Sequence, residues 1–159
     1  MNKSALVKKI IVQLTGELEL YAKAARAAHA EATHEQSRAE NKYDTRGLEA
    51  SYLARGQSRQ AAEIAQAIRE FETFQPRMFS PTDPIDTGAV VELQTEAERT
   101  WYFVATRAGG TEVIHDRKEI LVITPESPLG QQLVSRNVGD RIDLHLPGAS
   151  VAYRIVAIW

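Results

Sequence analysis

The residues best suited to chemistry are carboxylates in a polar stretch between two segments that favour helix: Glu35, Glu40, Asp44 and Glu49. If the second helix begins near Ala39, Glu40 and Asp44 stand four residues apart on one helix face. Carboxylate oxygens suit Mg²⁺, which often takes only one or two protein ligands, and a cation held near a water promotes hydrolysis. The pair is therefore a candidate for a metal-assisted site, although composition alone favours a solvated, charged turn with no function.

Other catalytic chemistries find little support. The absence of cysteine excludes disulfides, thiolate metal sites and cysteine nucleophiles. Ser37 and Ser51 have no evident triad partners, and no glycine-rich phosphate loop is present. The net charge of −2 gives no broad attraction to nucleic acid or membrane. The histidines show no metal-ligand spacing; they are His29, His34, His115 and His145.

The first half of the chain predicts a long helix packed along another helix. Residues 3–74 contain no proline and are rich in helix formers. Apolar or small residues recur at alternating intervals of four and three, the spacing of a coiled-coil seam, with an ordinary amphipathic surface helix as the alternative. The seam positions are Val7, Ile11, Leu14, Leu18, Tyr21, Ala25, Ala28 and Ala32.

A second helical pattern follows the polar stretch, so residues 1–75 are predicted to form an antiparallel helical hairpin. Its apolar positions are read as Leu48, Tyr52 or Leu53, Ala61, Ile64, Ile68 and Phe71. An arm of about 30 residues would be roughly 45 Å long. Large side chains at the base and alanines toward the turn predict a slim finger suited to entering a cavity.

The second half has a different pattern. Prolines and aspartates over 76–86 predict a linker, and 87–159 predict a small antiparallel sheet with one short helix, an α+β domain. Ser127 is the expected N-cap and Pro128 the first residue of that helix over 127–136. Five strands are predicted: Ala89–Leu93, Thr100–Thr106, Ile120–Thr124, Arg141–Leu146 and Val151–Ile158.

Several short motifs in this half resemble the Gre family of bacterial transcription elongation factors. In order along the chain they are Thr87-Gly88-Ala89-Val90-Val91, Ser127-Pro128-Leu129-Gly130, Val138-Gly139-Asp140, Pro147-Gly148 and Tyr153-Arg154-Ile155-Val156. Upstream, Glu40-Asn41 followed by Tyr43 resembles the acidic finger tip of that family, so the resemblance spans nearly the whole chain.

The resemblance implies an FKBP-like C-terminal domain that docks on RNA polymerase, and a finger that reaches through the secondary channel. The protein would not itself be an enzyme and would have no cofactor of its own. Its tip would help hold a Mg²⁺ shared with the polymerase, which then hydrolyses its own backtracked RNA. By the same resemblance Glu40 would be a catalytic, metal-holding residue, and Asn41 would contact the polymerase together with Ser127, Pro128 and Leu129. Asp44 is the second candidate for a catalytic, metal-holding residue, because a four-residue spacing puts it on the same helix face as Glu40.

One position departs from the family pattern. Cleavage-competent tips carry an aspartate three residues before the Glu-Asn pair, where this chain has Ser37. Asp44 can substitute for it, or it can pair with Arg38 or Lys42. The alternative function is therefore a non-cleaving regulator that occupies the same channel and inhibits or competes with cleavage factors. A peptidyl-prolyl isomerase is a third hypothesis, but it leaves the finger unexplained.

The remaining predictions concern partners and location. Nascent RNA would be contacted indirectly, and basic residues of the finger make direct nucleic-acid contact an alternative. The aromatic residues of 87–159 are predicted to be core. The apolar stretch Ile10-Ile11-Val12 is cut by Gln13, which predicts neither a signal peptide nor a membrane span. A cytoplasmic monomer without a membrane partner is expected.

Overall fold

The computed structural model describes residues 1–34, 45–146 and 149–159. Two long helices precede the sheet, α1 (Lys3–Thr33) and α2 (Arg46–Thr73). The described residues form two compact units, Val12–Glu72 and a sheet unit that joins Met1–Ile11 to Thr73–Trp159. The predicted finger, linker and domain boundaries at 75 and 86 stay a prediction. The strands and the short helix are β1 (Val90–Gln94), β2 (Arg99–Val104), β3 (Glu112–His115), β4 (Lys118–Ile123), α3 (Pro128–Leu133), β5 (Arg141–Leu146) and β6 (Ala149–Ile158).

The burial of α1 confirms the predicted seam. All eight seam positions are buried or half-buried, and the residues that separate them are largely exposed. Leu14 is 2% exposed near the start of the helical unit, and the small Ala28 is 5% exposed near the end of α1. A seam that changes from leucine to alanine lets the helix approach its neighbour closely at that end.

The apolar face predicted for α2 is wrong in its first half. Leu48, Tyr52 and Leu53 are all more than half exposed, whereas Ala50 and Ala54 are buried. A series of buried or half-buried positions again alternates by three and four, which is the interval of a helix pair. Small residues predominate in its first half, where large side chains would hold the helices apart. The series is Gly47, Ala50, Ala54, Gln57, Ala61, Ile64, Ile68 and Phe71, and Ala65, Ala67 and Glu70 beside it are also buried or half-buried.

The sheet has six strands in the order β3-β4-β2-β1-β6-β5. All neighbouring pairs are antiparallel except β2 and β4, which are parallel. The prediction of five strands missed β3, and this extra strand explains the parallel pair, because it reverses the chain between β2 and β4. Asp116 and Arg117 turn the β3–β4 hairpin with φ of 50° and 61°, a conformation usually supplied by glycine.

Side chains from both faces of the sheet are buried. The core on the α3 side includes Val91, Tyr102, Val104 and Leu133. Residues that alternate with these along the strands, such as Val90 and Phe103, are 0% exposed and face the other way.

The first turns of α1 cover this second face of the sheet. Leu6 and Ile10 are 0% exposed, and the Lys9 ammonium donates to the Ile114 carbonyl at 2.7 Å. Phe74 meets Phe103 edge to face, with ring centroids 6.1 Å apart. The start of the helical segment is therefore part of the core of the sheet unit.

Candidate functional site

The residues predicted to do chemistry, Glu40 and Asp44, lie outside the described residues, as do Asn41 and Ser37. Ala39, the assumed start of the second helix, also lies outside the described residues, and α2 begins at Arg46. Thr45 explains this start: its carbonyl accepts the Glu49 N–H at 2.9 Å, the bond expected of an N-cap residue. Its hydroxyl also donates to the Glu49 carboxylate at 2.7 Å. The proposed tip residues thus precede α2 and follow α1.

The second predicted group, Ser127, Pro128 and Leu129, begins α3. Ser127 is the N-cap, as predicted: its Oγ accepts the Gly130 N–H at 3.0 Å and donates to the Thr124 carbonyl at 2.7 Å. Leu129 is 8% exposed and belongs to the core, whereas Pro128 is exposed. Only Pro128 of the three therefore offers a largely free side chain. Their contact with a partner stays a prediction.

The Val138-Gly139-Asp140 motif forms the turn that connects α3 to β5. Gly139 has a φ of 97°, which favours glycine, and its N–H donates to the Ile155 carbonyl at 2.8 Å. The Ile155 N–H donates in turn to the Asp140 carbonyl at 2.9 Å, and the Asp140 carboxylate accepts the Asn137 N–H at 3.0 Å. This motif fixes where β5 begins, so its role in the described structure is architectural.

A buried lysine, which the sequence prediction did not single out, closes the sheet unit. Lys3 is 4% exposed, and its ammonium donates to the carbonyls of Gly88 at 2.9 Å, Trp159 at 3.1 Å and Arg77. It lies 4.6 Å from the ring centroid of Phe79. Burial, and secondarily the Arg77 guanidinium, lowers the pKa of Lys3 from 10.5 to about 8. The sequence did hold one indication that Lys3 is buried. Lys3 lies one helical turn before the buried Leu6 and Val7, on the same face of α1.

The lowered pKa of Lys3 predicts that the protein becomes more stable in mild alkali. Between about pH 8 and 10.5 the unfolded chain holds a proton that the folded chain lacks, so unfolding becomes harder as the pH rises. The free energy of unfolding should gain about 1 kcal/mol per pH unit in that window relative to Lys3→Met. Below about pH 8 both states hold the proton, and the difference between the two proteins should be constant. Urea unfolding at a series of pH values measures this; parallel curves throughout would contradict it.

No group of three or more potential ligands among the described residues could hold a metal ion. The described helices also include none that is long and apolar enough to cross a membrane. The basic residues of the helical unit that the structure describes, such as Lys23, Arg26 and Arg55, are exposed. The geometry on hand therefore consists of a helical pair with a slender seam and a sheet unit with a short capped helix.

Comparison with known structures gave several relatives of similar length. The GreA factor homolog 1 (Gfh1) of Thermus thermophilus is 24% identical, with 94% of each chain covered and a TM-score of 0.38. Gfh1 of Thermus aquaticus is 25% identical, with 95% of this chain and 94% of that chain covered and a TM-score of 0.41. The prokaryotic transcription elongation factor GreA/GreB of Nitrosomonas europaea is 24% identical, with 65% and 78% covered and a TM-score of 0.37.

A comparison with curated protein sequences gave no match. The family described as "Transcription elongation factor, GreA/GreB, C-term" matches residues 80–159, which is half of the chain. The matched segment contains all six strands, the Ser127 cap and the turn at Gly139. The chain therefore belongs to the GreA/GreB family of transcription elongation factors.

Proposed function

We propose that this protein binds RNA polymerase through its secondary channel and stimulates Mg²⁺-dependent cleavage of backtracked RNA. Glu40 and Asp44 would act at the tip of the finger, on a metal ion shared with the polymerase. Such an ion supplies charge stabilisation and an activated water for phosphodiester hydrolysis. The protein contributes carboxylate oxygens and their placement, so it needs no active site of its own.

The observation that carries the proposal is the slender seam of the helices that lead to and from residues 35–44. α1 has 31 residues and α2 has 28, lengths of about 46 and 42 Å. Ala28, Ala50 and Ala54 are buried in the half of each helix nearest those residues. Small seam residues permit close approach of the two axes, which gives a narrow element that can enter a confined channel.

A second candidate function rests on Ser37. A hydroxyl is a weaker Mg²⁺ ligand than a carboxylate, so a tip with one fewer acid could occupy the channel without promoting hydrolysis. The protein would then be a regulator that inhibits transcription or competes with cleavage factors.

One experiment separates these functions. A backtracked elongation complex is assembled with Mg²⁺, the protein is added, and shortening of the RNA is followed on a gel. Faster shortening is the expected result. Protection of the secondary channel from chemical footprinting without any shortening would support the regulator instead. Proline isomerase activity on a model peptide, with no polymerase binding, would overturn both.

A further inference from the structure

A groove of about 300 Å³ lies on the sheet at the amino ends of β2 and β4. β2 and β4 are parallel, with Tyr102 beside Leu121, so Thr100 lies beside Glu119. Across the β3–β4 pair, Glu112 is opposite Leu121 and Ile114 is opposite Glu119. The lining residues are Glu98, Arg99, Thr100, Trp101, Tyr102, Glu112, Glu119 and Leu121.

The groove has an apolar floor that continues to the edge of the sheet. Tyr102 is 9% exposed, Leu121 is half-buried, and both pack with the core on the α3 side. Ile114, on the edge strand β3, is 71% exposed and shares this face with Glu112. An isoleucine this exposed next to a half-buried leucine gives the surface an apolar strip that nothing in the described chain covers.

Three of the four charged residues that line the groove are acidic. Glu98, Glu112 and Glu119 are exposed, and none takes part in an ion pair among the described residues. Arg99, the single cation of the lining, donates from Nη1 to the Glu92 carboxylate at 2.9 Å, and Glu92 projects from the other face of the sheet. Lys118 sits 4.8 Å from the Trp101 ring centroid, and the Lys9 ammonium donates to the Ile114 carbonyl at 2.7 Å. Each of these three cations therefore has a partner of its own, whereas the three glutamates have no ion-pair partner in the described chain.

One further polar atom at the groove lacks a partner. Thr100 Oγ1 is buried and has no hydrogen bond within the described chain. Such orphaned atoms are uncommon in native proteins because each costs free energy unless a ligand or water satisfies it. Burial first, and then Tyr102 and Glu98, raise the pKa of Tyr153.

We propose that this groove binds a cationic segment of a protein partner. Lysine or arginine side chains of the segment pair with Glu98, Glu112 and Glu119, and an apolar side chain covers the strip from Leu121 to Ile114. Nucleic acid does not fit, because its phosphates carry the same charge as the rim. A metal ion does not fit either, since the described carboxylates form no cluster that could hold one.

The groove is separate from the predicted docking residues. It lies where β2 and β4 begin, whereas Ser127 follows the carboxyl end of β4. From β4 the groove takes Glu119 and Leu121, and its lining includes none of Ser127, Pro128 and Leu129. The inference does not rest on the proposed function, and it can be tested on the isolated protein without polymerase.

The test uses a short synthetic peptide with three arginines and one leucine, and a matched peptide in which glutamates replace the arginines. Binding is followed by amide shifts in NMR spectra. The expected result is weak binding that declines as salt rises, with the largest amide shifts at Thr100, Glu112 and Leu121. The glutamate peptide should not bind.

The decisive variant is Glu112→Gln with Glu119→Gln, which should raise the dissociation constant of the arginine peptide at least about 10-fold. The matched control is Glu19→Gln with Glu72→Gln, which removes the same charge from exposed positions on the two long helices. Its dissociation constant should stay within about twofold of the parent value. An equal loss in both variants would show attraction to net charge alone and overturn the proposal. So would shifts centred outside the groove, or binding of the glutamate peptide.

Discussion

Replacing Gly130 by alanine is expected to destabilise the sheet unit by about 3 kcal/mol or more. A Cβ at this position would lie 1.9 Å from the Thr124 carbonyl oxygen and 2.9 Å from Ser127 Oγ. The obstacle is backbone rather than a flexible side chain, and that carbonyl already accepts hydrogen bonds from the N–H and the hydroxyl of Ser127. Relief of the clash requires α3 to move away from β4, which breaks the cap and opens the core at Leu129 and Leu133.

Equilibrium denaturation followed by tryptophan fluorescence measures this loss, because Trp101 and Trp159 both belong to the sheet unit. Gly56→Ala is the matched control. A Cβ on Gly56 meets nothing within 4 Å in α2, so this substitution should stabilise the helix by about 0.5–1 kcal/mol, as measured by far-ultraviolet circular dichroism, and should not lower the denaturation midpoint of the sheet unit. A Gly130→Ala protein that unfolds at the same denaturant concentration as the parent would show that α3 can shift freely and would contradict the prediction.

The local rules of capping and turn formation predicted the C-terminal half well. Ser127 and Pro128 predict the start of α3. A serine hydroxyl can accept a backbone N–H of the first helical turn, and proline lacks an N–H that would have no partner there. Reliance on the same local rules is why the β3–β4 hairpin was missed. Its turn, Asp116-Arg117, contains no glycine, although both residues adopt positive φ. The usual preference for glycine in such a turn is not followed there, and no local sequence pattern predicts the exception.

The helices show how far hydrophobic spacing can mislead. In α1 the apolar spacing of four and three follows the buried residues, although Val12 and Leu20 are exposed, so the seam could be read directly. In α2 the large residues Leu48, Tyr52 and Leu53 are exposed and the seam consists of Ala50, Ala54 and other small residues. The positions of the large apolar side chains alone therefore predict the wrong buried face for the first half of α2. The alanines in the seam of α1, such as Ala28, call for small residues on the facing helix. That requirement would have favoured the face of α2 that is in fact buried.

The candidate sites also differ in how far the sequence alone could predict them. The acids of the groove come from β3, from β4 and from Glu98 just before β2, and Glu112 and Glu119 become neighbours only through pairing of strands whose order the sequence did not reveal. Lys3 likewise meets Gly88 and Trp159 across almost the whole chain. Glu40 and Asp44, by contrast, are close in sequence. The resemblance to a family names Glu40 and the four-residue spacing names Asp44, both without any tertiary information.

Glu40→Ala is expected to reduce factor-stimulated RNA cleavage by on the order of 100-fold, which corresponds to about 2.7 kcal/mol of transition-state stabilisation. Removal of a group that only supports a metal ligand already costs about 10- to 100-fold, so loss of a ligand should cost at least as much. Asp44→Ala should also reduce cleavage if Asp44 stands in for the acid that Ser37 replaces. Binding to polymerase should be unchanged, because the sheet unit is untouched.

The assay follows RNA shortening in a backtracked complex at saturating factor, with affinity for polymerase measured separately. Glu35→Ala is the matched control, since it removes an acid from the same segment and should leave the cleavage rate within about twofold. Ser37→Asp should increase cleavage, because a second carboxylate strengthens the hold on Mg²⁺. Cleavage that survives both Glu40→Ala and Asp44→Ala would refute the tip assignment. The parent protein could instead bind polymerase without stimulating cleavage while the Ser37→Asp variant does stimulate it. That pair of results would show that the protein is the non-cleaving regulator, because one missing carboxylate would then account for the whole difference in activity.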